Sequence, residues 1–175
     1  MNNQFPNSTR TDLIEPHGGV LIDLMAPNHQ KDDLIKNTSK TLECSDRNAC
    51  DIELLVIGAF SPLKGFMSEN DYNSVVEKNR ISSGELFGLP IILDTADESL
   101  SIGDQVLLKY RGQNLGIIEI DEIWEPDKVK EAKCCYGTTS LEHPAVRMIA
   151  MERKRFYLGG KVIGLELPKR VFPCK

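Results

Sequence analysis

Two apolar runs separated by four polar residues constrain the fold of this 175-residue chain more than any other feature. The runs are residues 105–110 and 115–120, and both are rich in the branched apolar residues that favour strands. The residues between them read Arg-Gly-Gln-Asn, a short polar connection with one glycine. The sequence therefore predicts a β-hairpin whose second strand continues toward Trp124 and stops at Pro126.

A second hairpin is predicted near the end of the chain. Residues 155–158 and 162–167 have strand composition and flank Gly159-Gly160, which is typical of a tight turn. The fragment Gly159-Gly160-Lys161-Val162 lacks the spacing and the Ser or Thr of a phosphate-binding loop, so a turn is the better interpretation. Shorter strands are predicted over residues 20–24 and 89–93.

Four helices are predicted from caps and apolar spacing, over residues 28–37, 45–57, 68–79 and 127–135. Ser45 is the expected N-cap of the second, with Cys50, Leu54 and Ile57 as its apolar face. Ser68 is the expected N-cap of the third, and its apolar residues are Tyr72, Val75 and Val76.

The segment between the second and third helices is predicted to form a packed corner. It has loop composition, but it carries two Phe residues, a Leu and a Met, and such apolar residues need a core to pack against. The residues expected to form this structural corner are Gly58, Phe60, Pro62, Gly65 and Phe66.

Short strands, tight turns and short helices together predict a mixed α/β fold of the α+β type. We expect a mainly antiparallel β-barrel with short peripheral helices, because the long crossovers of a parallel sheet are missing. Residues 1–12 are expected to be a flexible polar arm, and residues 13–175 a single domain.

Charge and composition exclude several classes of protein. The net charge of −5 disfavours nucleic acid as a partner. No apolar stretch is long enough to cross a membrane, and the polar first residues do not resemble a secretion signal, so we expect a cytoplasmic protein. The five cysteines lack metal-ligand spacing and are expected to be reduced thiols.

No residue of the chain has the pattern of a catalytic, cofactor-binding or metal-binding site. The three histidines are isolated in sequence, and for His17, His143 and Arg147 a structural role and an interdomain or substrate-facing role both stay open. A solvated turn is predicted for Asp94, Asp97 and Glu98.

A cluster of basic residues is the one place in the sequence that suggests contact with an anion. We predict a solvated or domain-facing surface here, with an anion pocket as the alternative. The cluster consists of Arg147, Arg153, Lys154, Arg155 and Lys161.

Several motifs, in order along the chain, resemble those of ATP sulfurylases (sulfate adenylyltransferases), over about residues 13–173. They are Pro16-His17-Gly18-Gly19, the run from Cys50-Asp51-Ile52-Glu53-Leu54 to Gly58-Ala59-Phe60-Ser61-Pro62-Leu63-Lys64-Gly65-Phe66-Met67, Asn70-Asp71-Tyr72-Asn73-Ser74-Val75-Val76, Leu89-Pro90-Ile91-Ile92-Leu93-Asp94, His143-Pro144-Ala145-Val146 and Tyr157-Leu158-Gly159-Gly160.

The resemblance implies a PUA-like β-barrel domain that precedes a catalytic nucleotidyltransferase domain. The family's catalytic Gln-x-Arg-Asn and His-x-Gly-His motifs are absent from this sequence, so the resemblance assigns ATP and Mg²⁺ to the catalytic domain and no catalytic residue to this chain. It implies a non-catalytic N-terminal domain whose partner is a catalytic domain, in cis or in trans, with homo-oligomerisation possible. The alternatives are a free-standing RNA-binding module, which the net charge disfavours, and a regulatory subunit of a separate sulfurylase.

Overall fold

The computed structural model describes residues 14–169, and the predicted polar arm at residues 1–12 lies outside them. The described part of the chain forms five helices and six strands. They are α1 (Asn28–Lys36), β1 (Lys40–Glu43), α2 (Asp46–Val56), β2 (Gly65–Phe66), α3 (Glu69–Lys78), β3 (Leu93–Thr95), β4 (Gln105–Tyr110), β5 (Gln113–Trp124), α4 (Lys128–Tyr136), α5 (Pro144–Met151) and β6 (Phe156–Gly164).

The six strands form one mixed sheet, so the fold is mixed α/β as predicted. The strand order is β1-β4-β5-β6-β2, and β3 pairs with the first residues of β6. All pairs are antiparallel except β1 with β4. Over residues 14–169 the path does not return to its first strand, so a closed antiparallel barrel is not confirmed. Strand β1, which makes the sheet mixed, was not predicted from the sequence.

The central hairpin is confirmed, with a tighter turn than predicted. Arg111 and Gly112 have φ angles of 48° and 79°, the pattern of a two-residue type I′ turn. Gln113 and Asn114, predicted to belong to the turn, already pair with β4. A shift of register after Leu108 accommodates the extra residue on one strand.

The predicted hairpin at Gly159-Gly160 is wrong, because β6 runs through both glycines as one strand. Gly160 faces Ile120 of β5 on one side and Phe66 of β2 on the other. A Cβ atom on Gly160 would overlap the carbonyl oxygen of Glu119, and one on Gly159 would lie 2.6 Å from the carbonyl oxygen of Met67. The two glycines therefore allow neighbouring backbones to approach closely.

The apolar face predicted for the second helix is also wrong by one position. Ser45 caps α2 as expected, but Cys50 and Ile57 are exposed, and the helix buries Ala49, Ile52, Leu55 and Val56 instead. These residues contact β5 and β6 and join the main core. Packing against the sheet selects this face.

Helices α1, α3 and α4 lie close to their predicted bounds. The side chain of Ser68 caps α3, whose buried residues are Tyr72, Val75 and Val76 as predicted. Residues 20–24 form no strand, although the backbone of Leu24 bonds to Val56 and Gly164 and an isolated bridge follows at Met25. The strand predicted over residues 89–93 begins at Leu93. Helix α5 was not predicted, although Pro144 is at its first turn, a favoured position.

Candidate functional site

The segment predicted to form a corner includes β2, which pairs with β6 at the end of the strand order. Phe66 is in β2 with only 4% of its surface exposed, and Leu63 and Met67 are also buried. Phe60 is partly exposed and packs against the same core. Gly58 follows the end of α2 with a φ of 81°, a conformation that strains other residues.

The residues before α1 cross this corner and are held by specific contacts. The backbone N–H of Ile22 donates to the hydroxyl of Ser61 (2.9 Å), and that hydroxyl donates to the carbonyl of Gly58 (2.6 Å). His17 bonds through Nε2 to the carbonyl of Leu86 (2.9 Å), and its ring lies 5.5 Å from that of Phe87. The N-terminal segment is thereby tied to the corner and to the loop before β3.

Several large apolar side chains are exposed around these contacts. We call them the apolar face, and they lie on the N-terminal segment, at the end of α2 and in the loop before β3. Each is between 44% and 62% exposed. The face consists of Val20, Leu21, Ile57, Leu86 and Leu89.

The three residues with a suggested interdomain role do not lie together. His17 contacts the loop before β3, whereas His143 immediately precedes α5 and its ring is 5.3 Å from that of Tyr136. Arg147 donates from Nε to the carbonyl of Leu141 (2.9 Å). His143 thus contacts the last residue of α4, and Arg147 contacts the connection between α4 and α5. Of the three, only His17 adjoins the apolar face.

The prediction of a solvated turn is wrong for Asp94, which lies in β3 and makes a buried ion pair. Its Oδ1 atom is 3.1 Å from Nη1 of Arg153, and the two side chains are only 8% and 9% exposed. The backbone N–H of Lys154 also donates to this carboxylate (2.8 Å). Buried pairs of this kind need such additional hydrogen bonds to offset the loss of hydration.

Two of the five residues of the predicted basic cluster are paired with carboxylates. Arg153 is paired with Asp94, while Arg155 is paired with Glu98 and Glu125. Arg147, Lys154 and Lys161 are exposed, and the side chain of Arg147 donates to a backbone carbonyl. These ion pairs reduce the positive charge of the cluster, and the anion pocket stays a prediction.

A cleft of about 430 Å³ opens beside the ion pair. Its wall includes two arginines, two carboxylates and several apolar rings, so its polar groups are balanced in charge. Burial raises the pKa of Asp51 to about 6, even though Arg153 and Arg47 lower it. The lining residues are Arg47, Asp51, Phe60, Phe87, Gly88, Leu89, Pro90, Ile91, Glu131, Tyr136, Met148 and Arg153.

A second buried carboxylate lies at the base of this cleft, on α4. Glu131 accepts hydrogen bonds from the hydroxyls of Tyr72 (2.9 Å) and Tyr157 (3.0 Å). Burial raises its pKa, and the two tyrosine bonds partly oppose that rise. Neither Glu131 nor Asp51 was predicted from the sequence as a site residue. The one sequence feature that suggests burial of Glu131 is its neighbour Ala132, which is also buried in α4.

Within residues 14–169, no group of three or more His, Cys, Asp or Glu side chains is placed to hold a metal ion. None of the helices in that range is long and apolar enough to cross a membrane. Cys44 is buried, which raises the pKa of its thiol to about 12, so it stays protonated at neutral pH.

Comparisons with known proteins agree on the type of domain. A family model described as a PUA-like domain matches residues 14–167. The sulfate adenylyltransferase of Neurospora crassa is 43% identical over 157 residues, which are 84% of this chain and 27% of that protein. That of Chaetomium globosum is 46% identical over the same length and share of each chain.

A solved structure shows the same fold. The hexameric APS kinase from Thiobacillus denitrificans matches with a TM-score of 0.68 and 24% identity, over 91% of this chain and 28% of that one. This chain therefore spans about a quarter of the length of these three proteins, and it corresponds to one domain of a larger protein.

Proposed function

We propose that this chain, which belongs to the PUA-like domain family, serves as the non-catalytic N-terminal domain of a sulfate adenylyltransferase. The observation that carries the proposal is the identity of 43% over 157 residues that make up only 27% of the Neurospora crassa enzyme. The remaining three quarters of such an enzyme would carry the chemistry. A free-standing RNA-binding module is not favoured.

The chemistry of the reaction supports this division of labour. Joining sulfate to the α-phosphate of ATP brings two anions together, and it needs donors and cations placed around them. Here Arg153 and Arg155 are paired with carboxylates, and His17 and His143 contact different elements. We therefore assign ATP and Mg²⁺ to the catalytic part, and to this chain a supporting role.

The partner in this proposal is the catalytic part of the same polypeptide, as in the relatives. We assign any homo-oligomer to the whole enzyme, since the solved protein of this fold is described as hexameric. A cytoplasmic location is part of the proposal, because the spacing of the cysteines suits reduced thiols and not a disulfide framework.

A domain exchange tests the proposal. The segment of the Neurospora crassa enzyme that matches this chain would be replaced by this chain, and sulfate-dependent release of pyrophosphate from ATP would be measured. We expect the chimera to be active and the same enzyme without the segment to lose activity or to aggregate. If the chimera were inactive while the enzyme without the segment stayed active, the supporting role would be contradicted.

A further inference from the structure

The exposed large apolar side chains of the described residues are concentrated in one region. The five residues of the apolar face lie on three segments that Leu21 and His17 bring into contact, and the exposed Ile14 belongs to the first of these segments. Single exposed apolar residues are normal for a protein surface, but a contiguous group marks an interaction site. The apolar face is therefore the strongest candidate for a contact surface.

The apolar face is built on a fixed framework. Leu21 packs so closely on the end of α2 that a Cβ atom on Gly58 would lie 2.8 Å from its Cδ1. A Cβ atom added to Gly18 would likewise lie 2.8 Å from the ring of Pro62. With the hydrogen bonds of His17 and Ile22, these contacts hold the exposed side chains in place, which reduces the entropy lost when a partner binds.

The cleft continues the apolar face toward the core. Leu89 belongs to both, and the adjoining wall of the cleft is formed by Phe60, Phe87 and Pro90. The arginines and carboxylates of the cleft are balanced, so a strongly charged ligand gains little from this wall. Apolar side chains from a partner would bury both the face and the mouth of the cleft.

We propose that the apolar face and the mouth of the cleft form the docking surface for the catalytic part of a sulfate adenylyltransferase. This inference rests on the proposed function, because the relatives carry this domain together with a further three quarters of their chain. The catalytic part presents apolar side chains to Leu21 and Leu89. Interfaces between domains of one chain bury about 600–1,500 Å², and the spread of the face over three segments suits such a contact.

A smaller apolar groove between α4 and α5 is the competing surface. It has a volume of about 190 Å³, and two of its residues, Val129 and Leu141, are well exposed. It offers fewer exposed apolar side chains than the apolar face does. It serves as an internal comparison in the experiment.

Hydrogen exchange in the chimera described above locates the docking surface. Amide exchange would be compared between this chain alone and the same residues within the chimera. We expect exchange to slow by about tenfold or more at residues 17–22, 57–60 and 86–90, because docking excludes water and suppresses local opening. Residues 99–104, around the exposed Ile102, should exchange alike in both proteins.

Matched substitutions test the same surface by melting. Leu89→Asp should lower the melting temperature of the chimera by roughly 3–8 °C and leave that of the isolated chain nearly unchanged, because Leu89 is already exposed there. Ile102→Asp, at a residue that is 69% exposed, should change neither protein. An equal drop in chain and chimera on Leu89→Asp would show a role inside the domain, against docking.

The possible outcomes separate the inference from the proposed function. Slower exchange at residues 128–141 instead of the apolar face overturns the docking surface and leaves the proposed function standing. A chimera that does not fold, or in which no part of this chain is protected, contradicts the proposed function itself. A dimer of the isolated chain that Leu89→Asp dissociates, seen by sedimentation, would make a second copy the occupant and overturn the inference.

Discussion

Replacing Gly160 with alanine tests the arrangement of the central sheet. Gly160 lies in β6 between Ile120 of β5 and Phe66 of β2. An added Cβ would overlap the carbonyl oxygen of Glu119 and lie 3.0 Å from its carbonyl carbon. Because these atoms belong to the backbone, no side chain can rotate away to relieve the contact.

The expected loss of stability follows from this geometry. Inserting an extra methyl group into a well-packed region costs about 1–3 kcal/mol, and contact with backbone favours the upper end. The lower entropy of unfolded alanine returns about 0.4–1 kcal/mol. Gly160→Ala should therefore lower the free energy of unfolding by about 1–2.5 kcal/mol, measured by urea denaturation followed by circular dichroism.

Gly88 provides the matched control. It is exposed, its φ angle is not positive, and nothing lies within 4 Å of an added Cβ. Gly88→Ala should leave stability unchanged or raise it by about 0.4–1 kcal/mol.

Gly160→Asn distinguishes a strand from a turn, because Asn tolerates the left-handed conformations of tight turns but adds a larger side chain to a strand. Wild-type stability for Gly160→Asn would refute the continuous strand.

Four further substitutions have outcomes set by burial and charge. Phe66→Ala should lower the free energy of unfolding by about 3–5 kcal/mol in urea melts, because Phe66 is buried. Phe60→Ala should lower it by clearly less, because Phe60 is partly exposed. Equal losses for the two variants would contradict this packing. Asp94→Ala should lower the free energy of unfolding by about 3–5 kcal/mol in thermal melts, because it leaves Arg153 buried without its partner. A decrease below about 1 kcal/mol would show that the ion pair is solvated. Burial raises the pKa of Asp51 from 3.8 to about 6, so the folded state binds more protons there than the unfolded state, and the free energy of unfolding falls as pH rises from about 4 to 6. Asp51→Asn should raise the free energy of unfolding at pH 7 and flatten this part of its pH profile. An unchanged profile would contradict the raised pKa.

Local signals in the sequence predicted the N-caps of α2 and α3 and the presence of the central hairpin correctly. Ser45 and Ser68 cap their helices through their own side chains, and the turn at Arg111-Gly112 joins adjacent strands. These features depend on residues within a few positions of one another. Such short-range interactions can be recognised without knowledge of the rest of the fold.

The errors have long-range causes. A pair of glycines suits both a tight turn and a close approach of strands, and only the pairing of β6 with β2 and β5 decides between them. The two possible apolar faces of α2 differ by one position, and the sheet selects the one with Ile52 and Leu55. Each alternative satisfies the local pattern equally well, so the sequence alone does not separate them.

The candidate site was the least predictable part for the same reason. Asp94 and Arg153 are 59 residues apart in sequence, and so are Tyr72 and Glu131. A charged residue in sequence suggests solvent exposure, whereas the fold buries these groups and supplies partners for them. The apolar face likewise combines residues from three distant segments.

The central claim is that this chain supports a catalytic partner and contributes no chemistry of its own. The most direct test incubates the purified 175-residue chain with ATP, Mg²⁺ and sulfate and measures pyrophosphate release, with the intact Neurospora crassa enzyme as the positive control. We expect release no faster than in the sample without protein. Sulfate-dependent release that grows with the concentration of this chain, in the absence of any other protein, would contradict the claim.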